Sequence, residues 1–332
     1  MERIAFISGE AFIYWSPIIL AMAAVAAIAI YTAVYIKRDG NIPALSLSIV
    51  LCVVLAIPLS RFLHWYHRAD TYTSLGAAMT NLTGGGFALY GVFAAGILAA
   101  LVLRLTRVSK SMPRMLDAMA LGGGVGIAVG RLASLFNASD RGMILPESVG
   151  LPFAWPVTNA VSGATENRLA TFAIQSMVVT VIVAAIFVYL LLCALRKKQV
   201  PDGDIFLLFI LPYGATQAVC DSTRYDSLFM RSNGFVSVVQ ILGLALVILA
   251  VVLFSLRAVK NTGLKARYFV IWGGMLALAG TAGVMEYLVQ RRAHLAAMTY
   301  SIMSASMLLI VALALVVRYW GTPKKAAESE TL

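Results

Sequence analysis

Residues 116–137 read LDAMALGGGVGIAVGRLASLFN, an apolar run that ends in Gly130-Arg131 and then turns polar. The run is long enough to cross the hydrocarbon layer of a bilayer as a helix. A guanidinium at membrane depth is costly unless it faces a partner, a cavity or the headgroup zone. The obvious anion in a bilayer is a lipid phosphate, so this stretch predicts a transmembrane helix that carries an arginine to a polar site.

Apolar runs of similar length recur along the whole chain. Hydrophobic residues make up 61% of the 332 residues and charged residues only 12%, far from the composition of soluble domains. We therefore predict an all-α fold, a polytopic transmembrane helical bundle of about nine spans. The predicted spans are residues 16–36, 42–62, 87–106, 116–136, 170–195, 204–222, 236–256, 268–289 and 297–318.

The distribution of lysine and arginine predicts the orientation of the spans. With the amino terminus outside, the inner loops hold all of the lysines and most of the basic residues. The positive-inside rule therefore predicts an N-out, C-in topology. Inner loops that face an anionic leaflet explain the net charge of +11 without nucleic-acid binding. The outer basic residues are then all arginines, which favours recognition of phosphate or carboxylate, with a chance distribution as the alternative.

Polar side chains converge on the outer halves of several predicted spans. They are Arg61, Tyr90, Arg131, Ser134, Asn137, Gln175, Gln217, Asp221 and Arg224. Those of the fourth span lie at i, i+3 and i+6, and those of the sixth at i, i+4 and i+7, so each set shares roughly one helix face. Two polar stripes at one depth predict an outward-opening cavity. The alternative is a set of interhelical hydrogen bonds and a buried ion pair that fix packing.

Short motifs stand at the ends of the predicted spans in a particular order. They are Ile13-Tyr14-Trp15-Ser16, Ser60-Arg61-Phe62, Tyr90-Gly91, Asp117, Gly130-Arg131 with Asn137 and Gly142, Tyr213-Gly214, Arg224-Tyr225-Asp226 and Gln240. This order resembles that of the bacterial prolipoprotein diacylglyceryl transferases, and the resemblance covers about residues 10–256.

The resemblance implies a fold, a reaction and a location. Enzymes of this family move the diacylglyceryl group of phosphatidylglycerol to the lipobox cysteine of a prolipoprotein signal peptide, releasing glycerol phosphate. The chain is then expected to be a transferase of lipoprotein biosynthesis, multi-pass in the bacterial cytoplasmic (inner) membrane, with its active site facing outward. No cofactor and no metal ion are implied.

The resemblance also divides the chain into three predicted parts. Residues 1–260 form a diacylglyceryl-transferase-like membrane domain with seven spans. Residues 261–320 add two further transmembrane helices, which lie outside the resemblance. Residues 321–332 form a short polar tail that we expect to be disordered and cytoplasmic.

The reaction needs a group that stabilises charge on the departing phosphate and a group that removes the thiol proton. On the resemblance we assign catalysis to Tyr90, Arg131 and Asp221. The predicted substrate-binding residues are Arg61, Ser134, Asn137, Gly142, Gln175, Gln217 and Arg224.

The chain departs from the family signature directly after its glycine-arginine pair. The family reads Gly-Asn-Phe-Ile-Asn there, whereas this chain carries Ser134 at the first asparagine and keeps Asn137 at the second. The family has an acidic residue two places after the second asparagine, and this chain has Ser139 there. The adjacent Asp140 is a possible substitute. Among the predicted substrate-binding residues, Ser134 therefore differs in chemistry from its family counterpart, whereas Asn137 does not.

Other family positions are altered further along the chain. The Arg-x-x-x-Glu pattern of the sixth span is replaced by Gln217 and Asp221, and a glutamate of the fifth span is replaced by Gln175. These changes leave a second hypothesis open, in which the chain is a catalytically altered derivative. Such a derivative binds anionic lipid or lipoprotein as a membrane partner without transfer.

Overall fold

A computed structural model of the chain describes residues 4–8, 11–68, 71–81, 86–137, 139–146, 148–158, 163–230 and 233–322. Most of these residues are helical, and the strands among them form only two-stranded antiparallel hairpins. The all-α, polytopic membrane architecture predicted from the sequence is confirmed.

The helices follow one another along the chain with few breaks. They are α1 (Trp15–Lys37), α2 (Ile42–His67), α3 (Leu75–Thr80), α4 (Leu89–Leu105), α5 (Met112–Gly130), α6 (Thr171–Leu195), α7 (Asp204–Ser222), α8 (Val238–Thr262), α9 (Ala266–Arg291) and α10 (Ala296–Gly321). A 3-10 helix, Arg131–Leu135, continues α5, and a 3-10 turn, Ala293–Leu295, precedes α10.

Length and composition separate the helices that can cross a membrane from the others. Among the described residues, 8 helices are long and apolar enough to do so, whereas α4 is shorter at 17 residues. Each predicted span coincides with one of these helices or with α4. The count of nine and the N-out orientation stay predictions.

The three hairpins each lead directly into a long helix. They pair β1 (Ile4–Ser8) with β2 (Ala11–Tyr14), β3 (Ala154–Thr158) with β4 (Thr165–Leu169), and β5 (Phe229–Met230) with β6 (Asn233–Ser237). The chain then continues into α1, α6 and α8, respectively. All three hairpins fall in segments that the predicted topology assigns to the outer side.

The chain forms two compact units. The first comprises residues 1–209 and 223–242, and the second comprises residues 210–222 and 243–332. The second unit includes the two added helices, α9 and α10. The predicted domain division at residue 260 stays a prediction. The predicted tail lies, from residue 323 onward, outside the described residues.

Glycines bring α1 and α5 together in the first unit. A Cβ atom at Gly122 would lie 2.5 Å from the carbonyl oxygen of Ala27 and 2.8 Å from Cβ of Tyr31, both on α1. A Cβ atom at Gly126 would lie 2.9 Å from Cβ of Ala27. Small residues allow this close backbone approach in membranes, where apolar burial gives no driving force between helices.

An ion-pair network joins the end of α1 to the starts of α5 and α7. The Arg38 guanidinium, just after α1, lies 3.3 Å from Asp117 of α5 and 3.1 Å from Asp202, which precedes α7. Asp117 is buried and also accepts hydrogen bonds from the backbone N–H groups of Gly203 and Phe206, each 2.8 Å long. These contacts fix the end of α5 opposite Arg131.

The neighbouring glycines Gly122 and Gly123 provide a direct test of the α1–α5 packing. Gly122→Ala should lower the free energy of unfolding by about 1–3 kcal/mol, because the added methyl group overlaps α1. Gly123→Ala should not lower stability, since nothing lies within 4 Å of the added Cβ atom. Thermal unfolding of both purified variants in detergent measures the difference. Equal unfolding temperatures would contradict the packing described here.

Candidate active site

Two arginines from distant parts of the chain meet at one carboxylate. Arg131, the first residue after α5, places its Nη1 2.8 Å from Oδ1 of Asp140. Arg224, two residues after α7, places its Nη2 2.7 Å from the same oxygen. The Ser134 hydroxyl donates to the other oxygen, Oδ2, at 3.0 Å. The 3-10 helix, the segment that follows it and the segment after α7 are thereby tied together.

A second carboxylate extends this arrangement. Asp226 accepts a 2.9 Å hydrogen bond from Nε of Arg224 and another, also 2.9 Å, from the backbone N–H of Asp140. Arg131, Asp140, Arg224 and Asp226 thus alternate in sign, and we call these four residues the outer charge cluster. Such partly buried, hydrogen-bonded pairs have better-defined positions than exposed ion pairs.

The protonation of Asp140 depends on a balance of opposing effects. Burial would raise the pKa of Asp140, but attraction to Arg131, then to Arg224, together with hydrogen bonds from Ser134 and Arg131, outweighs it. The net result lowers the pKa of Asp140 to about 2. Asp140 is therefore ionised at neutral pH and is too weak a base to remove a thiol proton.

The backbone around Asp140 is held in an uncommon conformation. Asp140 has φ of 56°, in the left-handed region that aspartate adopts more readily than most residues. Gly142 then forms a bridge with Arg224, and a Cβ atom there would lie 2.7 Å from Oγ1 of Thr171 and 2.8 Å from Cβ of Leu169. Only glycine fits, so Gly142 allows the two segments to approach at the cluster.

Asn137 connects the segment before Asp140 to the start of α1. Its Nδ2 donates to Oγ of Ser16 at 3.2 Å, and its Oδ1 accepts from the backbone N–H of Ser139 at 3.0 Å. The rings of Trp15 and Phe136 pack beside this contact, with centroids 5.9 Å apart. Asn137 therefore orients the turn that presents Asp140, and substrate contact by Asn137 stays a prediction.

Arg61 is surrounded by backbone carbonyl groups. It is 2% exposed, and its guanidinium donates to the carbonyl oxygens of Ala78 at 2.8 Å, Asn81 at 2.5 Å and Gly86 at 3.1 Å. The ring of Tyr72 lies 5.3 Å from its Cζ atom. These contacts give Arg61 a clear role in holding Ala78, Asn81 and Gly86 against α2, while its predicted contact with phosphate stays a prediction.

Two further predicted residues lie in the first unit. The Tyr90 hydroxyl, at the start of α4, donates to the carbonyl oxygen of Val239 at 3.4 Å, and its ring centroid lies 5.5 Å from that of Phe93. Gln175 on α6 is completely buried. The roles of both residues in the reaction stay predictions.

The remaining two predicted residues belong to the second unit. Gln217 and Asp221 lie one turn apart on α7, and each is only 1% exposed. Their assignments stay predictions as well.

Two residues of the site were not assigned from the sequence. Asp226 lies in the Arg224-Tyr225-Asp226 motif but carries no predicted role, and Arg141 belongs to none of the motifs. Arg141 is fully buried beside Asp140, and the two adjacent charges at 140 and 141 were the only available signal.

Comparisons with known proteins agree on one family. A sequence model of the prolipoprotein diacylglyceryl transferase family matches residues 3–256. The phosphatidylglycerol–prolipoprotein diacylglyceryl transferase of Lactococcus lactis subsp. cremoris is 25% identical over 261 residues, which are 79% of this chain and 96% of that protein. The protein of the same name from Oceanobacillus iheyensis is 26% identical over 260 residues, covering 73% and 85% of the two chains.

The variant Asp140→Asn tests the outer charge cluster through its pH dependence. An ordinary aspartate, as in the unfolded chain, has a pKa of about 4, whereas the pKa of Asp140 in the folded protein is about 2. Ionised Asp140 therefore stabilises the folded protein above about pH 4, and this contribution is lost as the pH falls towards 2. We expect Asp140→Asn to be less stable than the original protein at pH 7, and this difference to shrink by on the order of 2 kcal/mol between pH 5 and 2. Unfolding in detergent across this range measures the difference.

Asp39→Asn, at an exposed turn, is the matched control and should show no such change. A stability difference between Asp140→Asn and the original protein that stays constant from pH 5 to 2 would contradict the arrangement.

Proposed function

The chain belongs to the prolipoprotein diacylglyceryl transferase family, and we propose that it transfers the diacylglyceryl group of phosphatidylglycerol to the lipobox cysteine of prolipoproteins at the outer face of the bacterial cytoplasmic membrane. The observation that carries this proposal is the outer charge cluster at the end of α5, where a membrane-spanning helix delivers Arg131 to a partly buried polar site.

The proposed step exchanges one bond for another. The cysteine sulfur attacks the carbon of the diacylated glycerol that is bonded to the phosphate oxygen. A carbon–sulfur bond forms, and the bond between that carbon and the phosphate oxygen breaks. The bonding electrons stay on the phosphate oxygen, and glycerol phosphate leaves. The thiol proton passes to a base before or during the attack.

Negative charge that develops on the leaving phosphate needs fixed positive groups. Arg131 and Arg224 are the candidates, because both are held within 3 Å of Asp140 before any substrate arrives. Pre-oriented donors of this kind stabilise a transition state without reorganisation at the moment of reaction. In this proposal Asp140 orients the two guanidinium groups and takes no part in proton transfer.

Tyr90 and Asp221 remain the proposed proton acceptors. A tyrosine has an ordinary pKa of about 10, so Tyr90 can act only where neighbouring positive charges favour its ionised form. Asp221 is a buried carboxylate on α7 and is the second candidate. Separate Tyr90→Phe and Asp221→Asn variants distinguish these two candidates.

An apolar cavity in the first unit supports a lipid substrate. It has a volume of about 320 Å³ and is lined almost entirely by apolar side chains of α1, α2, α4, α5 and the start of α7, among them Ile28, Phe93 and Ile127. Ile127 lies one helical turn, about 6 Å of rise, before Arg131. An acyl chain in the cavity would therefore leave the lipid phosphate near the end of α5.

The altered family positions favour a second hypothesis, in which the chain binds lipid or lipoprotein without transfer. Asp140 favours retained activity. Asp140 pairs with Arg131 and Arg224. It directly follows Ser139, which stands at the family's acidic position. Its carboxylate thus supplies the negative charge that Ser139 lacks.

Complementation tests the proposed transfer. In a bacterial host depleted of its own transferase, this chain should restore growth, and prolipoproteins should gain the mass of a diacylglyceryl group. Arg131→Ala should lower this lipidation by at least about a hundredfold, as removal of a transition-state donor does. Lys197→Ala, at an exposed turn after α6, is the control and should match the original chain. Failure of the well-expressed, membrane-inserted chain to lipidate would favour the binding-only alternative.

A further inference from the structure

Arg141 is a buried arginine whose hydrogen bonds are incomplete. Its side chain is 1% exposed, and its Nη2 donates to the carbonyl oxygens of Ser134 at 2.7 Å and Asn137 at 3.0 Å. Its Nε and Nη1 have no hydrogen-bond partner among the residues that the structure describes. Buried donors without an acceptor carry a desolvation cost, so native proteins rarely leave them without a use.

Aromatic rings compensate part of this cost. The Cζ atom of Arg141 lies 4.3 Å from the ring centroid of Phe172 and 5.8 Å from that of Trp155. Attraction between a cation and an aromatic face stabilises the charge of Arg141. A ring face does not replace an oxygen acceptor, so the requirement for an anion or another acceptor at Nε and Nη1 remains.

The charge balance around Arg141 also favours binding of an anion. Arg131 and Arg224 are matched by the carboxylates of Asp140 and Asp226 in the outer charge cluster. Arg141 follows Asp140 in sequence, and Ser134 contacts both of these residues. No described carboxylate, however, forms a salt bridge with Arg141. The cluster together with Arg141 therefore carries one excess positive charge.

A phosphodiester matches this requirement in both charge and chemistry. It bears a single negative charge and presents two non-bridging oxygens, and guanidinium groups are well suited to bind such oxygens. We propose that Arg141 binds the phosphodiester of the lipid substrate. This inference rests on the proposed function for the identity of that lipid, and it adds a substrate-binding residue to Arg131 and Arg224.

Access to Arg141 requires a covering side chain to move. Phe172 is fully buried at the start of α6, whereas Trp155 on β3 is only half buried and already meets solvent. Trp155 is therefore the ring whose displacement would open the site. Displacement of the Trp155 side chain would admit the headgroup while α6 stays in place.

Lipid binding by the full-length protein tests this inference directly. Native mass spectrometry of the purified protein would compare phosphatidylglycerol with diacylglycerol of the same acyl chains, which lacks the phosphate. The original protein should prefer phosphatidylglycerol. Arg141→Gln should reduce that preference about tenfold or more, with diacylglycerol binding unchanged, because only the phosphate contact is lost.

Two further variants separate charge from folding. Arg141→Lys keeps the positive charge and should retain part of the preference, even where Arg141→Gln yields too little folded protein. Arg292→Gln removes an exposed arginine and should retain all of it. An Arg141→Gln protein with the original preference for phosphatidylglycerol would overturn the assignment. An Arg141→Lys protein that loses phosphatidylglycerol and diacylglycerol binding equally would overturn it as well, because the loss would then not depend on the phosphate.

Inorganic phosphate, added at millimolar concentration, identifies the source of the ligand. Competition with phosphatidylglycerol in the original protein but not in Arg141→Gln would mean that the site accepts phosphate from either source. No competition would mean that it takes lipid-borne phosphate alone. Arg141-dependent binding without any transfer to a lipobox peptide would contradict the proposed function and leave this inference standing.

Discussion

The attraction of two guanidinium groups to the single carboxylate of Asp140 is the contact on which the site depends. Through Arg131 it joins the end of a membrane-spanning helix to the nearby Asp140, and through Arg224 it joins both to the segment after α7, which is distant in sequence. Each of these charges would be costly at this position without the others. The contact therefore both fixes the local structure and keeps positive charge where a lipid phosphate can be bound.

The helix α5 serves three purposes along its length. Gly122 and Gly126 bring it close to α1, and Ile127 lines the apolar cavity. Arg131 follows directly as the helix tightens into a 3-10 turn. The proposed lipid substrate has the same order of parts, with acyl chains in the membrane and a phosphate at its surface. A single helix can thus align both parts of the substrate.

The transmembrane fold could be predicted because the length and apolar composition of a segment suffice to indicate a membrane-spanning helix. The predicted span 170–195, for example, corresponds to α6, Thr171–Leu195. The pairing of Arg131 with Asp140 was also within reach, since the two are close in sequence. The saturation of Arg61 by backbone carbonyls and the burial of Arg141 depend on contacts that no local pattern records. The β3–β4 pairing likewise depends on the register between two separate segments, which no local pattern determines.

The most direct test of the account is transfer by the purified protein. The chain in phosphatidylglycerol nanodiscs would receive a synthetic peptide with a lipobox cysteine, and mass spectrometry would follow both products. We predict that the peptide gains one diacylglyceryl group for each glycerol phosphate released. An unmodified peptide, with phosphatidylglycerol bound and the protein folded, would contradict it.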